Sequence, residues 1–154
     1  MKIAIGCDEA GYALKEILKP FIVAEGHEVV DFGAFDSKPV LYPDIGHAVA
    51  AAVAAGRHDS AVLICGTGIG MAITANKVKG VRAAQCHDTY SAERARKSND
   101  AQIVTLGARV IGPELAKVIV RSFLAARFSG GPSAAKVERI KAYENEATER
   151  LIQA

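Results

Sequence analysis

Six consecutive residues, Cys65-Gly66-Thr67-Gly68-Ile69-Gly70, carry the densest set of reactive groups in this sequence. Three glycines permit a tight turn and leave backbone amides uncovered. Such amides face the place where an anion or a developing oxyanion sits at a helix N-terminus. Cys65 adds a thiol in a setting where thiols ionise, and Thr67 adds a hydroxyl. A thiolate, a hydroxyl and converging amides suit removal of a proton next to a carbonyl, with the amides and Thr67 holding the enediolate. A plainer reading also fits: a Gly-rich strand-to-helix turn whose buried cysteine is a small hydrophobe. A nucleotide loop is excluded. The Lys-Ser/Thr ending of a P-loop is missing, and the last two glycines are too close together for GxGxxG.

Other polar residues stand at the ends of apolar runs. Asp8 and Glu9 follow the first run and fit either bonds to substrate hydroxyls or a turn ahead of a helix. His87 and Asp88 follow the fourth, and Asp88 reads as the N-cap of a helix at Thr89. Asn99 and Arg109 lie near element ends; Arg109 beside Gly107 fits a phosphate grip or a surface salt bridge. His27, His47 and His58 read as ordinary surface or core histidines. No group of His, Cys and carboxylates has metal-ligand spacing, so no metal is expected.

These groups need a scaffold that gathers strand ends, and the apolar pattern supplies one. Strands are expected at Lys2–Gly6, Glu28–Phe32, Ser60–Ile64, Val81–Gln85 and Ile103–Leu106. Helices are expected at about Ala10–Glu25 (with Leu14, Ile17, Leu18 and Phe21 on the apolar face), Asp44–Ala55, Ile69–Lys77, Thr89–Ser98 and Pro113–Phe128. Ser129-Gly130-Gly131-Pro132 breaks the chain. A last helix then runs from Ser133 to about Leu151, its apolar positions being Val137, Ile140, Tyr143, Ala147 and Leu151. It would lie on the domain or reach a partner chain.

Strict alternation implies α/β class, a single domain built as a three-layer α/β/α Rossmann-like sandwich with a five-stranded, mostly parallel sheet and a C-terminal helix. Ligands in such folds bind beyond the carboxyl ends of strands, which points to Cys7-Asp8-Glu9, Cys65–Gly70 and Cys86-His87-Asp88.

With 154 residues, half of them hydrophobic, the chain suits one globular domain. Nineteen basic and 17 acidic residues give a net charge of +2 with no basic run, so neither nucleic acid nor a membrane surface is an expected partner. Three cysteines, Cys7, Cys65 and Cys86, without CxxC spacing fit reduced thiols and a cytoplasmic location. The N-terminus reads as a strand and turn, and no apolar stretch approaches the roughly 20 residues that span a bilayer.

Several segments together carry a family resemblance. They are Ile5-Gly6-Cys7-Asp8, Asp59 through Gly70, Ala75-Asn76-Lys77, Tyr90-Ser91-Ala92, Asn99-Asp100, Gly107 through Gly112 and Glu114-Leu115-Ala116. Over nearly its whole length the chain resembles ribose-5-phosphate isomerase B and its relatives for galactose 6-phosphate and allose 6-phosphate. The resemblance implies that Cys65 is the base moving a proton between C1 and C2. It implies that Thr67 and the turn Gly66, Gly68, Ile69 and Gly70 stabilise the enediolate, and that Asp8 bonds substrate hydroxyls. Tyr42 matches a tyrosine near the site; Asn99 and Arg109 match polar groups at a site the family builds between two chains. A homodimer or tetramer is therefore expected, with no metal or cofactor.

The departures narrow the substrate. The family usually reads Asp-His-Ala-Gly where this chain has Asp8-Glu9-Ala10-Gly11, and His-Asn-Asp where it has Ser98-Asn99-Asp100. An arginine pair that grips phosphate in the family is here Pro132 and Lys136. In ribose 5-phosphate isomerases the second histidine helps open the sugar ring. A tetrose 4-phosphate, whose O4 is esterified, cannot form a furanose and needs no such acid. Its phosphate also sits nearer the base, where Arg109 and Lys136 are candidate cations. The segment from His87 to Asn99 resembles the D-erythrulose-4-phosphate isomerase branch in particular. Two alternatives stand beside it. One is isomerisation of a pentose 5-phosphate. The other is a non-catalytic partner subunit, because one galactose-6-phosphate isomerase subunit also reads Asp-Glu-Ala-Gly, although it lacks the Cys-Gly-Thr-Gly turn kept here.

Overall fold

The alternating pattern is realised in a computed structural model that describes residues 1–152, with side chains described through Glu146. The elements run β1 (Lys2–Cys7), α1 (Tyr12–Ala24), β2 (Glu28–Asp31), α2 (Tyr42–Ala54), β3 (Ser60–Cys65), α3 (Ile69–Ala75), β4 (Ala83–Gln85), α4 (Thr89–Asn99), β5 (Ile103–Gly107), α5 (Pro113–Ala125), a 3-10 turn (Gly131–Ser133) and α6 (Ala134–Ile152). All described strand pairs are parallel, in the order β2-β1-β3-β5-β4.

Side-chain parity along the strands builds two cores. Ile3, Ile5, Cys7, Val62, Ile64, Val104 and Leu106 face one way, packing against Leu18 and Ile22 of α1, Ala92 of α4 and Ile119 and Phe123 of α5. Ala4, Ala61, Leu63, Cys65 and Ile103 face the other way, against Val49 and Val53 of α2 and Met71 of α3. The chain reverses direction across the sheet between β1 and β3, the switch point at which parallel sheets open a ligand crevice. Parity decides which cysteine meets it: Cys65 is directed toward the α3 side, Cys7 into the opposite core.

Five sequence expectations shift. In α1 the buried positions are Leu14, Lys15, Leu18 and Ile22; Ile17 is exposed and Phe21 only half-buried. The helix is turned because Lys15, fully buried, bonds both oxygens of Asp31 at 2.7 Å and the Ala34 carbonyl at 2.6 Å. Helix α2 starts at Tyr42, ahead of the expected Asp44, because Pro43 is suited to its first turn. Strand β4 begins at Ala83, since the backbone N–H of Arg82 is taken by the Gln102 side chain at 2.8 Å. Helix α5 stops at Ala125: Ala126 is extended, and the Arg127 guanidinium donates to the Leu124 and Ala126 carbonyls. Helix α6 begins at Ala134; Val137 is buried on it, while Ile140 and Tyr143 are exposed. The side chains of Ala147 and Leu151 lie outside the described residues.

Candidate active site

Strand β3 delivers Cys65 to the carboxyl edge of the sheet, and the next five residues turn back into α3. The Gly68 amide donates to Cys65 Sγ at 3.1 Å, and the Ile69 amide to Thr67 Oγ1 at 3.3 Å. Neighbouring strands fix the turn from outside. From the β5 side, Ala108 N–H donates to the Cys65 carbonyl (2.9 Å), Arg109 N–H to the Gly66 carbonyl (3.0 Å) and Thr105 Oγ1 to the Gly68 carbonyl (2.9 Å). From β4, Gln85 Nε2 donates to the Thr67 carbonyl at 2.6 Å. From β1, Asp8 N–H donates to the Ile64 carbonyl at 3.2 Å.

Above the turn lies an open cavity of about 450 Å³. It is lined by Cys65, Gly66, Thr67, Ile69 and Gly70 of the turn and start of α3, by Ile73 further along α3, and by Asp8, Tyr42 and Arg109. Gly70 is where Tyr42 comes closest: a Cβ added there would stand 2.7 Å from the Tyr42 hydroxyl. Gly66 abuts the Arg109 side chain, whose Cδ would lie 3.5 Å from an added Cβ. A second hollow of about 190 Å³, between Ala10, Ala13, Leu14, Ile17, Ala108, Ile111 and Pro113, has no titratable side chain in its lining and no means of proton transfer.

The three thiols differ in setting. Burial pushes Cys7 and Cys86 up to about 11, which keeps them protonated at neutral pH. Cys65 alone among them lines the cavity and accepts an amide. Burial also raises the Asp8 carboxyl above its ordinary value, as does the charge of Glu9, while Arg109 and the Gly11 amide oppose the shift. Asp8 Oδ1 accepts that amide at 2.9 Å, so the turn ahead of α1 is part of its role.

Of the residues singled out by sequence, Asp8, Tyr42, Cys65, Gly66, Thr67, Ile69, Gly70 and Arg109 come together at the cavity. Gly68 lies buried behind it. Glu9, next to Asp8, turns its carboxylate to the Val40 amide at 3.2 Å. Ser98, Asn99 and Lys136 do not line the cavity of their own chain. Ser98 pairs with Arg94, Asn99 is exposed at the end of α4, and Lys136 is exposed on α6. Asp88 caps α4 as expected, accepting the Ser91 amide at 2.7 Å. Sequence reasoning missed Ile73, one helical turn beyond Ile69 and recoverable from that spacing. It also missed Gln85, and it marked His87 only as a strand-end residue, without the bond in which the ring's Nε2 accepts the Gly107 amide at 3.0 Å.

Comparison with known proteins shows the family of the chain. The profile of the Ribose/Galactose Isomerase family matches residues 3–140. The chain is 59% identical over 138 residues to a protein of Listeria innocua named ribose-5-P isomerase B, covering 90% of this chain and 93% of that one. It is 53% identical over 148 residues to the D-erythrulose-4-phosphate isomerase of Pectobacterium atrosepticum, covering 95% and 97%. The solved structure of Clostridium thermocellum ribose-5-phosphate isomerase B superposes with a TM-score of 0.94 at 47% identity, covering 96% of this chain and 99% of that one. Matched from β1 into α6 and carrying the cysteine turn intact, the chain belongs to the ribose/galactose isomerase family and is a sugar-phosphate isomerase.

Proposed function

We propose that the chain interconverts D-erythrulose 4-phosphate and D-erythrose 4-phosphate, with Cys65 as the base. The Cys65 thiolate takes a proton from C1 of the ketose, and the electrons left behind form the C1–C2 enediolate. The same proton returns to C2, the hydroxyl proton passes from O1 to O2, and the aldose results. The carrying observation is the 3.1 Å bond from the Gly68 amide to Cys65 Sγ in the lining of the cavity, which supports negative charge on sulfur. Thr67 and the turn amides face the enediolate oxygens, Asp8 the sugar hydroxyls and Arg109 the phosphate.

The tetrose reading draws support from the histidines. The sequence has four, His27, His47, His58 and His87, and none of them lines the cavity. Glu9 and Ser98, at the positions where histidine is usual, are engaged with the Val40 amide and Arg94. No imidazole of its own chain lines the cavity where a furanose ring would have to open. The second reading, a ribose 5-phosphate substrate, is favoured by the name of the Listeria innocua relative. Steady-state turnover of both substrates decides between them: a larger kcat/KM for ribose 5-phosphate overturns the tetrose assignment. Cys65→Ala must abolish turnover of either substrate, whereas a non-catalytic subunit would be indifferent to it.

We further propose that the chain works as a pair in which Ser98, Asn99 and Lys136 complete the partner's site. Their placement away from the cavity of their own chain supports this. Co-expressing Cys65→Ala and Asn99→Ala chains tests it. Mixed dimers would hold one intact and one doubly altered site, restoring about a quarter of the activity. No restoration refutes shared sites.

A further inference from the structure

We infer that His87 is a positioning residue for the active-site turn, acting through the Gly107 amide. Strand β4 ends at Gln85, but β5 continues to Gly107, so the last rungs of β5 lack a strand on that side. Cys86 N–H still donates to the Thr105 carbonyl at 3.2 Å. Two residues further along β5, the Gly107 amide has no β4 carbonyl to meet, and the His87 ring takes that place, with Nε2 accepting at 3.0 Å. The bond fixes the tautomer: Nε2 carries no proton, and the neutral ring holds its hydrogen on Nδ1.

What the bond holds is the junction between β5 and the site. A Cβ added at Gly107 would lie 2.8 Å from both the carbonyl carbon and the oxygen of Thr67, so the two backbones are in direct contact. The Gly107 carbonyl accepts from Val110 (2.9 Å) and Ile111 (3.1 Å), forming the turn that carries Arg109 into the cavity. Gln85, two residues before His87, holds the other side of Thr67 through its carbonyl. The end of β4 thus grips the catalytic turn at two points, one directly and one through Gly107. A ring that let go would free Gly107 and the start of the Arg109 turn, loosening the phosphate-side cation and the Thr67 backbone together.

This rests on the proposed roles of Cys65, Thr67 and Arg109, and the experiment separates the two levels. His87→Leu keeps the bulk and removes the acceptor; His87→Gln keeps an acceptor at nearly the same reach. Turnover of D-erythrulose 4-phosphate and ribose 5-phosphate is measured for both variants and for Cys65→Ala, alongside thermal unfolding. For the substrate that wild type turns over, His87→Leu is expected to raise KM about three- to tenfold, with a smaller fall in kcat, and His87→Gln to stay within about twofold of wild type. A His87→Leu protein with a lowered melting temperature but unchanged KM would make the histidine merely structural and overturn the inference. If His87→Leu fails to fold, nitrogen NMR of the wild-type ring decides: a protonated Nδ1 and bare Nε2 support the bond, and the opposite tautomer overturns it. Full activity of Cys65→Ala would instead remove the reading of the site itself.

Discussion

Replacing Gly68 by alanine probes the turn where its backbone is most constrained. Gly68 has φ 80°, in the left-handed region, where a side chain costs about 1 kcal/mol. A Cβ there would also stand 2.9 Å from the Leu106 carbonyl carbon, 3.1 Å from its nitrogen and 3.2 Å from its oxygen. These are backbone atoms of β5, paired in register with Ile64 of β3, and they cannot rotate away. Overpacking against such a wall costs about 2 kcal/mol more. A total near 3 kcal/mol corresponds to a melting temperature lowered by about 6–12 °C in a domain of this size. The Gly68 amide would move off Cys65 Sγ, and kcat should fall about 100-fold, as when an oxyanion-hole donor is lost. Gly70→Ala is the matched control. The three atoms nearest its Cβ, at 2.6–2.7 Å, all belong to the far end of the Tyr42 side chain, which is able to swing aside. Gly70→Ala should melt within about 2 °C of wild type while weakening substrate binding through the displaced tyrosine. Calorimetry and initial-rate kinetics on the two variants form the assay. A Gly68→Ala protein that melts and turns over like wild type would refute the reasoning.

Limited alkylation with iodoacetamide at pH 8 should modify one thiol per chain and abolish activity in step. Peptide mapping must then place the label on Cys65, since burial holds Cys7 and Cys86 near 11. His58 is buried with both ring nitrogens unpartnered, and burial lowers its affinity for a proton below the ordinary histidine value. The unfolded chain therefore protonates first: stability is full above about pH 6.5 and falls as pH drops from there toward the lowered folded value. His58→Phe should flatten that acid limb in urea melts at pH 7.5 and 5.5; His27, shifted the same way, leaves part of it in place. An unchanged limb would count against the assignment. Lys15→Met leaves the Ala34 carbonyl without this donor and Asp31 with only Lys19 and the Gly33 amide, so the urea midpoint should drop by the equivalent of about 3 kcal/mol. A fully stable variant would show the buried pair to be dispensable.

What the sequence made legible was governed by short-range rules. The glycine spacing announced the turn, Asp88 announced its cap, and the apolar parity of five runs announced a parallel sheet. What stayed hidden depends on partners distant in sequence. Lys15 reads as a surface lysine until Asp31 and Ala34 are folded over it, and Ile17 reads as core until the helix turns to bury that lysine. His87 gives no local sign of its role, because its partner amide lies on another strand. The candidate site divides in the same way. The residues on or beside β1 and β3 were found from their positions at strand ends, whereas Ser98 and Lys136 came only from the family resemblance and Asn99 read only as a polar residue near an element end; their own chain does not bring these three to the cavity.

The stitching of the turn to β5 has a consequence for biosynthesis. Every rung from Thr105, Ala108 and Arg109 onto Cys65, Gly66 and Gly68 joins segments that leave the ribosome at different times. A nascent chain with β1 and β3 exposed already contains the cysteine and its glycines. It lacks the strand that closes one side of them, and the edge of β3 that awaits β5 is open to unwanted pairing. Chemical competence thus arrives in one late step, when β5 docks. A gene truncated between the glycine turn and that strand encodes Cys65 without the strand that closes its cradle.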